Sequence, residues 1–228
     1  MSLYLTLNIA SFIIPFIYSF EKRMRFIKYW KSVFLSLFIV AFFFLVWDAL
    51  FTKMGIWGFN TNYHVSFTFF GLPLEEILFF FCIPYASIFT HYAVGYFYPN
   101  LQFSKKITNY ITITLFFLAV IILFLNTDKW YTLVNFIVFA ALLAYSYVSK
   151  NTILQKFYIT FIVILIPFFL VNGILTGSFI ENEVVWYNNA ENLGIRLFTI
   201  PLEDAFYAFS MLFANLILIE KFKKVFNK

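Results

Sequence analysis

Two stretches decide how this chain reads: Gly71-Leu72-Pro73-Leu74-Glu75-Glu76-Ile77-Leu78-Phe79-Phe80 and Thr199-Ile200-Pro201-Leu202-Glu203-Asp204-Ala205-Phe206-Tyr207. Each is a proline, a leucine and two acidic side chains, followed at once by an apolar run. Proline suits the first turn of a helix, where backbone donors lack intrahelical partners in any case. Carboxylates there face the positive end of the helix dipole. Both stretches therefore predict a helix start that carries acidic groups at the edge of an apolar segment.

The likeness continues upstream. Phe44-Leu45-Val46-Trp47-Asp48-Ala49-Leu50 reads against Phe169-Leu170-Val171-Asn172-Gly173-Ile174-Leu175, and Trp57 and Asn60 read against Trp186 and Asn189. The spacing is 125 residues where these blocks begin and 128 at the prolines, which predicts three extra residues in the second loop. An internal repeat of this length fixes architecture before any local detail does.

Composition says what kind of architecture. Of 228 residues 63% are hydrophobic and 12% charged, with a mean hydropathy of +0.86, too apolar for the surface of a soluble domain. A bilayer core about 30 Å thick takes roughly 20 apolar residues per helix. Apolar runs near 3–20, 32–51, 73–94, 107–125, 130–148, 154–173 and 198–219 meet that need. The expectation is an all-α polytopic membrane bundle of seven transmembrane helices. Pro84 falls inside the third run, where neighbouring helices absorb a proline.

Basic residues orient the bundle. Lys22, Arg23, Arg25, Lys28, Lys31, Lys105, Lys106, Lys150, Lys156, Lys221, Lys223, Lys224 and Lys228 fall on one side, and only Lys53, Lys129 and Arg196 on the other. The positive-inside bias then puts the N-terminus outside and the C-terminus inside. The net charge of +5 is thereby a topology signal and not a nucleic-acid surface. The first apolar run has basic residues after it, in Glu21-Lys22-Arg23-Met24-Arg25, and none before it, unlike a cleavable signal peptide. Helices 2 and 3 correspond to helices 6 and 7, a displacement of four that preserves direction. The chain thus divides into a three-helix repeat at 1–94, a linker helix with its loops at 95–129 and a parallel three-helix repeat at 130–228. A pseudo-twofold axis along the membrane normal follows, with both acidic motifs in the outer half.

Acids at helix starts are common and often only structural. Here they occur twice, beside apolar runs where ionisable groups are expensive, with Asp48 at the outer end of helix 2. Adjacent helical residues point about 100° apart, so Glu75 and Glu76 do not both face one small target, nor do Glu203 and Asp204. One of each pair is expected to face the bundle interior while the other holds a loop or a partner. Poorly hydrated carboxyls in mixed protonation states have the parts of a general acid and base.

At these motifs the chain resembles the integral-membrane lycopene cyclases, found as two-subunit bacterial enzymes and as a fused domain in fungi. The resembling residues are Trp47-Asp48, Pro73-Leu74-Glu75-Glu76 with Phe79-Phe80, Asn172-Gly173-Ile174-Leu175-Thr176-Gly177, Trp186-Tyr187-Asn188, Gly194-Ile195-Arg196 and Pro201-Leu202-Glu203-Asp204. They span about 32–94 and 154–219, with both halves in one chain. The resemblance implies an isomerase of carotenoid biosynthesis. Protonation of the terminal double bond of lycopene gives a tertiary carbocation, a neighbouring double bond attacks it, and loss of a proton leaves a β-ionone ring. It points to Glu75, Glu76, Glu203 and Asp204 as acid and base candidates without saying which donates, with Asp48, Asn172 and Arg196 in support. It implies a lipid-soluble polyene partner, residence in the plasma or inner membrane, and room for association with other carotenoid enzymes.

No G-x-G-x-x-G follows a strand, so no organic cofactor is expected. His64 and His91 make no metal-ligand pattern with the acids, and no metal is expected either. Cys82 is the single cysteine and reads as a packing residue. A small-solute transporter has the same three-plus-one-plus-three plan and stands as the alternative. Its site would lie near the midplane, whereas these acids sit at the edge. A retinal protein would need a lysine in the middle of the last helix, and none stands between Pro201 and Ile219.

Overall fold

The computed structural model describes residues 2–226; Lys228, counted among the basic residues above, lies outside them. Seven helices carry the fold: α1 (Leu3–Tyr18), α2 (Trp30–Met54), α3 (Leu74–Phe97), α4 (Lys105–Leu125), α5 (Trp130–Ser149), α6 (Ile153–Leu175) and α7 (Leu202–Phe226). Six are long and apolar enough to cross a membrane. The exception is α1, whose 16 residues span about 24 Å at the helical rise. Exposed phenylalanines such as Phe42, Phe43, Phe117 and Phe124 cover the outside, as lipid contact requires. α3 continues through Pro84 without a break.

Sequence reading does not foresee the strands. β1 (Trp57–Phe59) pairs with β4 (Val185–Tyr187), antiparallel, with Gly58 opposite Trp186. β2 (Thr68–Phe69) and β3 (Leu72–Pro73) form a two-residue hairpin leading into α3, and β5 (Arg196–Leu197) and β6 (Ile200–Pro201) form another leading into α7. Phe70 at φ 52° and Gly71 at φ 83° make the first turn, and Phe198 at φ 59° opens the second. Positive φ at both central residues suits the tight turn that matches strand twist. In place of Gly71 the second turn has Thr199, whose hydroxyl meets Thr176 Oγ1 and Ser178 Oγ, each at 2.7 Å. The prolines end these hairpins, one residue ahead of each helix, instead of opening the helices.

Hydrogen bonds recur between the two halves. Asn60 N donates to Val184 O at 2.9 Å and Asn188 N to Ile56 O at 2.8 Å, two bonds that interchange under a spacing of 128. Ile56 N donates to Phe51 O at 3.0 Å and Val184 N to Leu175 O at 2.9 Å, where α2 and α6 run into their loops. Direct alignment of the sequence sets Trp57 against Trp186, whereas the interchanging bonds set Trp57 against Val185. Helix packing follows the same exchange, with α1 on α3 and α5 on α7, then α2 on α7 and α6 on α3.

Gly58 is required where the halves meet. A Cβ there would strike the Trp186 indole at three ring atoms. Gly58→Ala is therefore expected to push that indole off the strand pair and to cost about 1–3 kcal/mol, the usual range for overpacking. Thermal melting in detergent together with iodide quenching of tryptophan fluorescence checks this. An unchanged melt with unchanged quenching would show that the indole is free to move away.

Candidate active site

The two hairpins deliver four carboxyls to the first turns of α3 and α7, and the 100° step between neighbours sorts them into two kinds. Glu75 and Glu203 turn to their loops. Glu75 Oε1 accepts from Ser2 Oγ at 2.6 Å and from Val65 N at 2.8 Å. Glu203 Oε1 accepts from Thr132 Oγ1 and from Leu193 N, each at 2.7 Å. Asn8 Nδ2 and Asn135 Nδ2 donate to the backbone carbonyls of the same two glutamates, at 2.7 and 2.6 Å. Each glutamate thus ties a loop and a preceding helix, α1 or α5, to the start of α3 or α7.

Glu76 and Asp204 turn the other way and line one shared cavity of about 80 Å³. The Tyr4 hydroxyl donates to Glu76 Oε2. The Tyr131 hydroxyl donates to Asp204 Oδ1 at 2.5 Å, and the Tyr187 hydroxyl donates to Asp204 Oδ2 at 3.0 Å. Asp48, from α2, lines the same cavity and accepts from Trp57 Nε1 at 2.6 Å, while its second oxygen is buried without a partner. Asn172 of α6 joins the polar lining. All three cavity carboxyl residues are 7% exposed or less.

The rest of the wall is aromatic and aliphatic. Tyr207 lies 4.8 Å from Trp47 and 5.0 Å from Phe44, ring centroid to centroid. Trp57 lies edge-on to Tyr131 at 5.0 Å, and Tyr131 stacks on Tyr187 at 5.9 Å. Burial, then the neighbouring Asp204 carboxylate, pushes the Tyr187 phenol well above its ordinary range. Tyr187 therefore keeps its proton and stays a donor.

Among the described residues no cation pairs with these acids. The only ion pair among the described residues is Lys223 with Glu220, on the far turns of α7. Arg196 does not reach the cavity; its guanidinium donates to Thr199 O at 2.6 Å and to Asn189 Oδ1 at 2.7 Å, and it packs over the Tyr187 ring. His64 binds its neighbouring backbone and His91 meets Thr160 Oγ1 at 2.7 Å, both away from the acids. Among the described residues no three His, Cys, Asp or Glu side chains gather closely enough to hold a metal ion.

Sequence reasoning named the acids and missed their donors, Tyr4, Tyr131, Tyr187 and Trp57. A signal existed for two of them. Tyr4 stands four residues before Asn8 and Tyr131 four before Asn135, so each tyrosine and asparagine fall on one helix face and clasp the side chain and the carbonyl of adjacent acids.

The lycopene cyclase family profile matches residues 1–94 and 128–222, which is most of the chain and includes every element that builds the cavity. No curated protein and no solved structure matches it.

Proposed function

The chain belongs to the lycopene cyclase family, and on that premise we propose that it closes β-ionone rings on the linear ends of lycopene by proton transfer within the shared cavity. One observation carries this reading: Asp48, Glu76 and Asp204, from three helices, meet in a single aromatic-walled cavity, with no ion pair to any of them among the described residues. Like charges confined together in a poorly hydrated space do not all ionise, so the cavity stores at least one proton.

The hydrogen bonds suggest how the roles divide. Both oxygens of Asp204 accept a phenol O–H, and bonds of that kind favour the charged form of the acceptor. Asp204 is then the base. Glu76 has one tyrosine donor on Oε2 and keeps its other oxygen for the cavity, which suits the acid. Glu76 gives its proton to the terminal double bond, and the tertiary cation is attacked by the neighbouring double bond. The ring cation then loses a proton to Asp204, so that one proton enters and one leaves with no change in atoms or electrons. Asp48 shares the cavity and is the third carboxyl by which a proton can return from Asp204 to Glu76. Aromatic faces such as Tyr207 and Trp57, both in the cavity wall, stabilise a cation by about 1–2 kcal/mol each when water is excluded. A cavity of 80 Å³ is small beside the roughly 300–1,000 Å³ of sites that enclose a whole ligand. It suits the tip of a long polyene whose remainder lies in lipid.

This reading takes α1 as a seventh span, with an outer N-terminus and an inner C-terminus. It takes 1–94 and 130–228 as parallel repeats, joined through 95–129, about an axis through the β1 and β4 pair. The acids then share the outer half of a plasma or inner membrane. Expression in a lycopene-accumulating bacterium, with pigments separated by chromatography, is the direct test. Cyclic carotenoid is the expected product. Unchanged lycopene despite confirmed membrane insertion would remove the proposal.

A further inference from the structure

At the end of the bundle opposite the carboxyls, a second cavity of about 370 Å³ is lined by Lys28, Tyr29, His91, Tyr92, Lys156 and Glu220 among others. It is larger than the acidic cavity and opposite in charge. Lys28 Nζ and Lys223 Nζ both lie 4.8 Å from the centroid of the one Tyr29 ring, and Lys223 lies 5.3 Å from Tyr92. Lys156 enters from α6 and spends one donor on Pro99 O at 3.2 Å, leaving two of its three N–H groups. Two ammonium groups thus line the cavity, from the turn before α2 and from α6, and a third, Lys223 of α7, stands over the Tyr29 ring beside it.

One carboxylate answers them. Glu220 accepts from Lys223 at 2.7 Å and from the Tyr92 hydroxyl at 3.1 Å, so it is already engaged. Lys28 and Lys156 have no carboxylate partner among the described residues. Gathering like charges around a common ring is unfavourable unless an anion sits among them. Topology alone would leave such lysines splayed into water, yet Lys156 is half-buried. Its ammonium occupies space that Gly95 leaves open, since a Cβ on Gly95 would stand 3.4 Å from Lys156 Nζ.

We propose that this cavity binds a phosphate-bearing anion through Lys28 and Lys156, with the charge of Lys223 beside it. Lysine is a compact, strongly hydrated donor suited to phosphate as a point charge, and basic pockets between membrane helices hold phosphate head groups. The same chemistry serves a phospholipid head group and free phosphate. The site is independent of the cyclisation reading.

The test uses the full chain in detergent. Native mass spectrometry compares retention of phosphatidylglycerol with that of phosphatidylcholine, and melting is followed in inorganic phosphate against chloride at equal ionic strength. Preference for phosphatidylglycerol without a phosphate response identifies a lipid head group, and a phosphate response without lipid preference identifies a soluble anion. Lys28→Gln/Lys156→Gln is expected to weaken the response about tenfold, the loss of one charge-assisted hydrogen bond's worth of binding. Lys28→Gln alone, at an exposed position, gives part of that loss without disturbing the fold. Lys224→Gln, outside the cavity, controls for net charge and is expected to bind as the parent does. No preference for either anion, or an equal loss in Lys224→Gln, overturns the proposal.

Discussion

Glu76→Gln and Asp204→Asn are each expected to lower lycopene cyclisation by about 10²- to 10⁴-fold, the range in which a positioned acid or base contributes. The amides are isosteric. In Glu76→Gln the amide still offers an oxygen to the Tyr4 hydroxyl, and in Asp204→Asn it offers one to Tyr131 or Tyr187 while the other phenol loses its acceptor, so the cavity volume is kept and melting of Asp204→Asn is read beside its activity. What disappears is the ability to give or take a proton. Asp48→Asn keeps the acceptor for Trp57 Nε1, and Asn172 already lines the same cavity. A smaller loss is expected there, of turnover after the first cycle, because Asp48 is assigned proton return and not the first transfer. Glu75→Gln is the informative control. Its side chain lies outside the cavity, and the amide oxygen keeps both bonds, from Ser2 and from Val65. Pigment chromatography at matched membrane expression reads all four variants. Full activity in Glu76→Gln with loss in Glu75→Gln would reverse the assignment of the pair.

The helices were legible because lipid burial writes itself as long apolar runs, and the acid motifs because an ionisable pair beside such a run is conspicuous. Even the division within each pair followed from the helical step, although which member faced inward did not. That depended on the hairpins, which set the rotation of α3 and α7 and are only two residues per strand, too short for any alternation to show. The tyrosine donors stayed hidden for another reason. The chain has 15 tyrosines, and only tertiary packing distinguishes Tyr4 and Tyr131 from those that merely fill space. Arg196 sits three residues before Thr199 and looked like a partner for the acids, but its side chain caps the second hairpin instead.

The largest effect on stability is expected from Glu203→Leu. Glu203 and Thr132 are both fully buried, and Glu203 Oε1 is the shared acceptor for Thr132 Oγ1 and Leu193 N. Leucine removes that acceptor from Thr132 Oγ1, which is fully buried, and from Leu193 N, which is half-buried. A buried unsatisfied donor costs roughly 1–3 kcal/mol, so Thr132 with a part share for Leu193 costs about 2–4 kcal/mol, a melting decrease on the order of 10 °C for a chain of this size. Glu203→Gln behaves differently. Its amide oxygen serves both donors, and the NH₂ replaces Oε2, which has no partner in any case. It is expected to melt close to the parent. Glu75→Leu falls between, because Ser2 is only half-buried and its hydroxyl can turn to water once released. Melting and monodispersity in detergent give the order Glu203→Gln, Glu75→Leu, Glu203→Leu from most to least stable. If Glu203→Leu melts with the parent, the glutamate does not tie α5 and its loop to α7, and the contrast drawn between inward and loop-holding acids fails at its structural half.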